Sequence, residues 1–193
     1  FEEKILKNNK ILNYQDSIYN FKAIKNTKEI KNIKMAHISD GAALTKYLFW
    51  LKKNFNKKKI SEISASLKLY KFRKQSKKFK FLSFPTISGS GPNGAIIHYN
   101  ASKKTNRLLR EGDIYLVDSG GQYEFGTTDV TRTISLKNSN KRIQDIFTRV
   151  LKGHIAVAKF KIKKNTSGSK IDSEARKFLK KIGLNYSHGT GHG

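Results

Sequence analysis

The 193 residues are enough for one domain with a substantial core, and the absence of cysteine excludes disulfides, thiolate nucleophiles and thiolate metal sites while fitting a reducing, cytoplasmic setting. A formal charge of +26 raises nucleic acid or an anionic membrane as a partner, yet only seven of the forty basic residues are Arg and the lysines are spread over nearly every polar stretch, so no specific nucleic-acid partner is expected. No apolar run is long enough to cross a bilayer, and no membrane partner is expected either.

The chain opens on Phe1 and closes on Gly193 directly after a His-Gly repeat, so it is expected to be part of a longer one. Residues 1–25 scatter Phe, Ile and Tyr among Lys and Asn and read as the tail of a preceding domain with its linker. Asn26 followed by Glu29 offers a capping box, and Ile30, Ile33, Leu44, Tyr47, Leu48 and Leu51 recur near helical spacing, which predicts a long helix to about Phe55. His37 and Asp40 lie three apart on it, a spacing that more often makes a local polar contact than a pair of ligands. Ser61 caps a second helix carrying Ile63, Leu67, Tyr70 and Phe72. Residues 79–99 are β-prone at both ends of a Gly-Ser-Gly-Pro-Asn-Gly insert, which predicts strand, irregular loop, strand. His98 ends the second strand, where taken alone it is an ordinary core or edge residue.

The centre of the chain is residues 114–136, IYLVDSGGQYEFGTTDVTRTISL. A short apolar run, a Gly-rich middle and an alternating Thr/Ile segment predict a β-hairpin folding back near Tyr123 and Glu124. Asp118 ends the first strand and Asp129 begins the second, so the two carboxylates fall nearly opposite one another. Like charges at cross-strand spacing repel, and a pair of divalent cations would compensate them, since hard metals select carboxylate oxygens. The competing reading makes both residues simple turn formers.

Beyond the hairpin, Asn140 caps a third helix with Ile143, Phe147, Val150, Leu151, Ile155 and Ala158 on one face and His154 at core-facing spacing. Ser169 starts a fourth, carrying Ile171, Ala175, Phe178, Leu179 and Ile182 and stopped by Gly183. Both helices are expected to expose apolar faces. The final Tyr-Ser-His-Gly-Thr-Gly-His-Gly sets His188 and His192 four apart among small residues, poor material for a helix or a core. Here a role as metal ligand or proton carrier outweighs a packing role.

The segments SFPTISGSGPNGAIIHY, VDSGGQYEFGTTDVTRT, VLKGHIAV and YSHGTGHG, in this order and at these spacings, closely resemble the catalytic domain of the Xaa-Pro aminopeptidases (aminopeptidase P). These are metallopeptidases of mixed α/β pita-bread fold, grouped with prolidase and methionine aminopeptidase. The resemblance runs from about Lys28 to Gly193, making residues 26–193 the N-terminal portion of a catalytic domain and residues 1–25 the end of a non-catalytic one. It implies two divalent metal ions, most often Mn2+, held by Asp118, Asp129 and His192, with unliganded His98 and His188 lining the substrate pocket as catalytic groups. It further implies two glutamate ligands that this sequence does not contain, and a hydroxide shared between the metals as nucleophile. Two Asp and one His cannot fill the roughly ten coordination positions of two such ions, so these residues by themselves are expected to be inactive. The implied activity is release of the N-terminal residue from peptides with proline second, by a cytoplasmic enzyme that can form a homodimer. The alternatives are a prolidase-type dipeptidase and a non-catalytic histone- or nucleic-acid-binding member of the same fold.

Overall fold

A computed structural model describes residues 16–192 of the chain, so most of the expected boundary segment and the final Gly193 lie outside the described residues. Helix α1 (Ser17–Ala23) is capped by Asp16 and buries none of its residues. The capping box at Asn26 forms: its side chain accepts from the Glu29 N–H at 2.9 Å, and the Glu29 carboxylate accepts the Asn26 N–H at 2.8 Å. It starts α2 (Thr27–Asn54), of which Ala36, Asp40, Ala43, Leu44, Tyr47 and Leu51 are buried. Ile30 stays exposed, because the buried stripe begins a turn later.

Helix α3 (Glu62–Arg73) starts at Ser61 as expected but turns a different face inward: Glu62, Ala65, Leu69 and Arg73 are buried, while Leu67 is exposed. Apolar periodicity misplaces the face because its two ends are charged residues with buried partners. Arg73 Nε donates to Asp40 Oδ1 at 2.6 Å and Nη2 to Oδ2 at 3.0 Å, both side chains being almost fully enclosed. Tyr123 OH donates to Asp40 at 2.8 Å, and Arg73 Nη2 also reaches Ser119 Oγ at 3.1 Å. Asp40 is therefore a structural anchor rather than a partner of His37, whose Nδ1 bonds the Ile33 carbonyl one turn back.

The strands form two small antiparallel sheets. β2 (Ile87–Ser90), β3 (Ile114–Ser119) and β6 (Val130–Ser135) make one, with β3 central; β1 (Phe79–Leu82), β4 (Gly121–Tyr123) and β5 (Gly126–Thr127) make the other. Alternation along β3 sends Tyr115, Val117 and Ser119 into the core and Leu116 and Asp118 to the opposite face. Tyr115 and Val117 pack against Leu44, Tyr47 and Leu51 of α2 and Ala65 and Leu69 of α3. The expected single hairpin is thus two nested ladders. The chain leaves β3 at Gly120, where an added Cβ would lie 1.9 Å from the Thr128 carbonyl, pairs with β1, turns at Glu124 and Phe125, and returns as β6.

The second strand expected before Tyr99 does not form. Pro92 opens a 3-10 turn over Gly91–Ala95, β2 has already taken the place beside β3, and Ile96 and Ile97 are exposed. Helices α4 (Lys141–Ala158) and α5 (Gly168–Lys180) pack on each other so tightly that a Cβ on Gly153 would sit 2.2 Å from the Ala175 carbonyl. Phe147, Val150, Leu151 and Ile155 remain about half exposed, in keeping with the expected open apolar face. His154 is exposed too, contrary to its expected core position, since α4 meets α5 through the face that carries the buried Gly153.

Replacing Asp40 by Ala strands the Arg73 guanidinium in the core and should cost about 3–5 kcal/mol in urea denaturation. A loss under about 1 kcal/mol, the scale of a surface pair, would show that the cluster does not hold the helices to the sheets.

Candidate active site

The open face of the β2-β3-β6 sheet floors a cleft of about 920 Å³ whose lining includes His98, Asp118, Asp129, His188 and His192, all five of the residues singled out in the sequence. Three separate segments deliver them. Asp118 sits near the end of β3, and Asp129 immediately precedes β6. The register pairs Asp118 with Thr131, so Asp129, two residues earlier, is its diagonal rather than its direct neighbour. Diagonal positions are about 7–8 Å apart, wider than the direct spacing expected from the sequence.

The two carboxylates still sense each other. Burial pushes the Asp118 carboxyl above its ordinary value, and Asp129 adds to the rise, while the Thr131 hydroxyl and His98 oppose it. Asp118 Oδ1 is buried without a hydrogen-bond partner. An orphaned carboxylate oxygen beside a second carboxylate, on the face of a cleft, fits a bound cation.

His98 follows the 3-10 turn with φ +54°, a left-handed conformation that costs a non-glycine residue of order 1–3 kcal/mol and persists only where its surroundings impose it. His188 and His192 lie on the loop after α5. Arg176 holds that loop: Nη1 donates to the Tyr186 carbonyl at 2.6 Å and to Asn185 Oδ1 at 2.9 Å, and Nη2 donates to the His188 carbonyl at 2.8 Å. Its guanidinium stacks on the Tyr186 ring, and Asp172, one helical turn back, pairs with it and accepts from the Thr190 hydroxyl. The His188 ring stacks on Tyr186 with Nδ1 2.8 Å from the Gly189 carbonyl. With Nδ1 as donor, Nε2 is left as an acceptor. His192 Nε2 stands 3.4 Å from Asp129 Oδ2. Among the described residues no three His, Cys, Asp or Glu side chains converge tightly enough to hold a metal alone.

Sequence reasoning did not single out Thr131, the apolar floor of Ile87, Leu116, Ile96 and Ile97, or the Arg176 clamp. Only the clamp carried a readable signal, the i, i+4 spacing of Asp172 and Arg176 on α5.

A mixed α/β fold with two adjoining carboxylates and an imidazole at the mouth of a histidine-lined cleft has the makings of a metallohydrolase. The chain belongs to metallopeptidase family M24, whose profile matches residues 31–193. It is 46% identical over 187 residues to a probable Xaa-Pro aminopeptidase P of Paracoccidioides brasiliensis, covering 96% of this chain and 30% of that protein. A Schizosaccharomyces pombe peptidase described as uncharacterized is 45% identical over 185 residues, covering 95% of this chain and 31% of that protein. The fold is the pita-bread fold. The Caenorhabditis elegans X-prolyl aminopeptidase, described as a cytosolic enzyme with a di-nuclear active site, superposes with a TM-score of 0.90 at 37% identity, covering 98% of this chain and 31% of that one. A Bacillus anthracis Xaa-Pro dipeptidase follows with a TM-score of 0.81 at 27% identity, covering 93% and 48%. The chain spans about 30% of the length of the curated relatives it matches.

With its carboxyl raised, Asp118 binds its proton more tightly in the folded protein than in the unfolded chain, so metal-free stability should fall as pH rises from the ordinary aspartate range through the raised value. Asp118→Asn should remove that slope and raise the Tm of the metal-free protein above the carboxylate range, by about 2–4 °C per kcal/mol of relief. An unchanged pH slope in calorimetry would show that burial beside Asp129 does not disfavour the charged form of Asp118.

Proposed function

We propose that this chain carries part of the catalytic centre of a metalloaminopeptidase that releases the N-terminal residue from peptides with proline in second position. The observation that carries the reading is the orphaned Asp118 oxygen beside Asp129, in a cleft that also holds three histidines. Asp118, Asp129 and His192 would be ligands of two divalent cations, Mn2+ being the favoured metal. When bound, such a pair supplies a water acidified to near-neutral pKa and a Lewis acid for the scissile carbonyl.

The chain's own groups do the rest. Asp118, near the end of β3, and Asp129, immediately before β6, would hold the cations at that end of the sheet. His98 and His188 both line the cleft, so each would offer an imidazole to a peptide bound there. Either can hydrogen-bond the substrate and carry a proton near neutral pH. Ile87, Ile96, Ile97 and Leu116 supply apolar surface for a proline ring. A Xaa-Pro bond lacks an amide N–H and fixes φ, so it suits a pocket that grips the ring rather than one that pairs with an extended strand.

Because the relatives are three times longer than this chain, the activity is that of the whole protein. The absence of cysteine and the cytosolic description of the nematode relative support a cytoplasmic setting, and among the described residues no helix is long and apolar enough to cross a membrane. The likeness to the Bacillus dipeptidase supports prolidase action as the second reading. Five chemically competent groups in one cleft speak against a binding module that performs no chemistry.

In the whole protein, Asp118→Asn or Asp129→Asn should lose most of the bound metal and activity, and His192→Ala should lower metal content. His98→Ala and His188→Ala should keep the metal and lose about 10²–10⁴ in kcat on an Xaa-Pro tripeptide. Metal analysis with kinetics checks this. Wild-type stoichiometry in either Asp variant overturns the ligand assignment, and turnover of dipeptides alone establishes the prolidase reading.

The scattered lysines should give only weak, sequence-indifferent binding to DNA or RNA that moderate salt abolishes. Sequence-selective binding at physiological salt in a mobility-shift assay would favour the non-catalytic role.

A further inference from the structure

Glu62 is a fully buried acid that the proposed chemistry does not use. It is the first residue of α3, where the helix N-terminus favours an anion. All the donors to its carboxylate are neutral: Oε1 accepts from the Ser90 N–H at 2.7 Å and Asn93 Nδ2 at 3.0 Å, and Oε2 accepts from Tyr99 OH at 2.8 Å and the Arg107 N–H at 2.9 Å. Its main chain extends the same grip. The Glu62 N–H donates to the Arg107 carbonyl at 3.0 Å, and the Glu62 carbonyl accepts from Ser88 Oγ at 2.8 Å.

These contacts fall in two groups along the chain, residues 88–93 and residues 99–107, and His98 stands between them in its left-handed conformation. Residues 95–98 are themselves exposed, so little packing fixes them. A strained conformation persists only where its surroundings impose it, and here one side chain ties down both flanks of the strained residue.

We propose that Glu62 is a positioning residue: by clamping both flanks of the loop it holds His98 in the cleft, without itself touching substrate or metal. The proposal rests on His98 being a pocket histidine. Glu62→Gln keeps the shape but replaces one acceptor by a donor, which must face the Ser90 or Arg107 N–H or the Tyr99 hydroxyl.

The test uses the whole, metal-loaded protein and two readouts. In hydrogen exchange, Glu62→Gln should speed exchange across residues 90–107 by about tenfold or more and leave β3 and β6 unchanged. In kinetics it should retain the metal, lower kcat on an Xaa-Pro peptide about tenfold and leave KM within about twofold. The same substitution on a His98→Ala background should change kcat by less than about twofold, because Glu62 acts through His98. Tyr99→Phe, which deletes one donor without adding another, should show the same pattern more weakly and serves if Glu62→Gln does not fold. Unchanged exchange across residues 90–107, or an equal loss of kcat with and without His98, overturns the clamp. Unaltered turnover in His98→Ala alone overturns the pocket assignment of His98, and the exchange result then decides separately whether Glu62 holds the loop.

Discussion

The Asp40–Arg73 pair is the constraint on which the rest of the structure depends. Two opposite charges removed from water are tolerable only with close geometry and further hydrogen bonds, and here these come from four elements: Asp40 from α2, Arg73 from α3, Ser119 from the end of β3 and Tyr123 from β4. The point where β3 ends is thereby fixed one residue after Asp118. From there the chain must cross to the second sheet through Gly120 and return past Thr128, whose hydroxyl accepts the Gly121 N–H at 2.9 Å, and the next residue is Asp129. A buried ion pair on the core side thus sets where the two carboxylates emerge on the cleft side.

The cleft is built against its own stability. Asp118 is half-buried beside another carboxylate with an oxygen left unpaired, and His98 occupies backbone space that most residues avoid. Three supports hold the site in place: the strand ladder for the carboxylates, the Glu62 network for the His98 loop, and the Arg176 stack for the loop of His188 and His192. Glu62 and Arg176, the charged side chains that hold the two loops, are not themselves among the residues lining the cleft.

Much of this was legible in the residues. The helix starts at Asn26, Ser61 and Asn140 were readable because each cap side chain bonds a backbone N–H within three residues. Asp118, Asp129, His188 and His192 could be named because Asp and His in Gly-rich surroundings make poor core, whereas His98, which taken alone reads as a core or edge residue, was named only through the family resemblance. What stayed hidden depends on partners distant in sequence. The inward face of α3 is set by Glu62 and Arg73, whose partners lie 28 to 46 residues further on or, for Asp40, 33 residues back. The short β4–β5 ladder could not be separated from the larger hairpin, since the crossing at Gly120 is a matter of close approach rather than pattern. Likewise, β-branched residues at Ile96 and Ile97 suggested a strand whose place β2 had already filled.

The claim that all else serves is that Asp118 and Asp129 share a pair of metal ions. Anomalous diffraction from crystals of the whole protein grown with Mn2+ tests it directly. A dinuclear centre would give two peaks about 3.5–4 Å apart, with Asp118, Asp129 and His192 among the ligands. Crystals with Mn2+ bound elsewhere, or with no anomalous density between the two carboxylates, would contradict it.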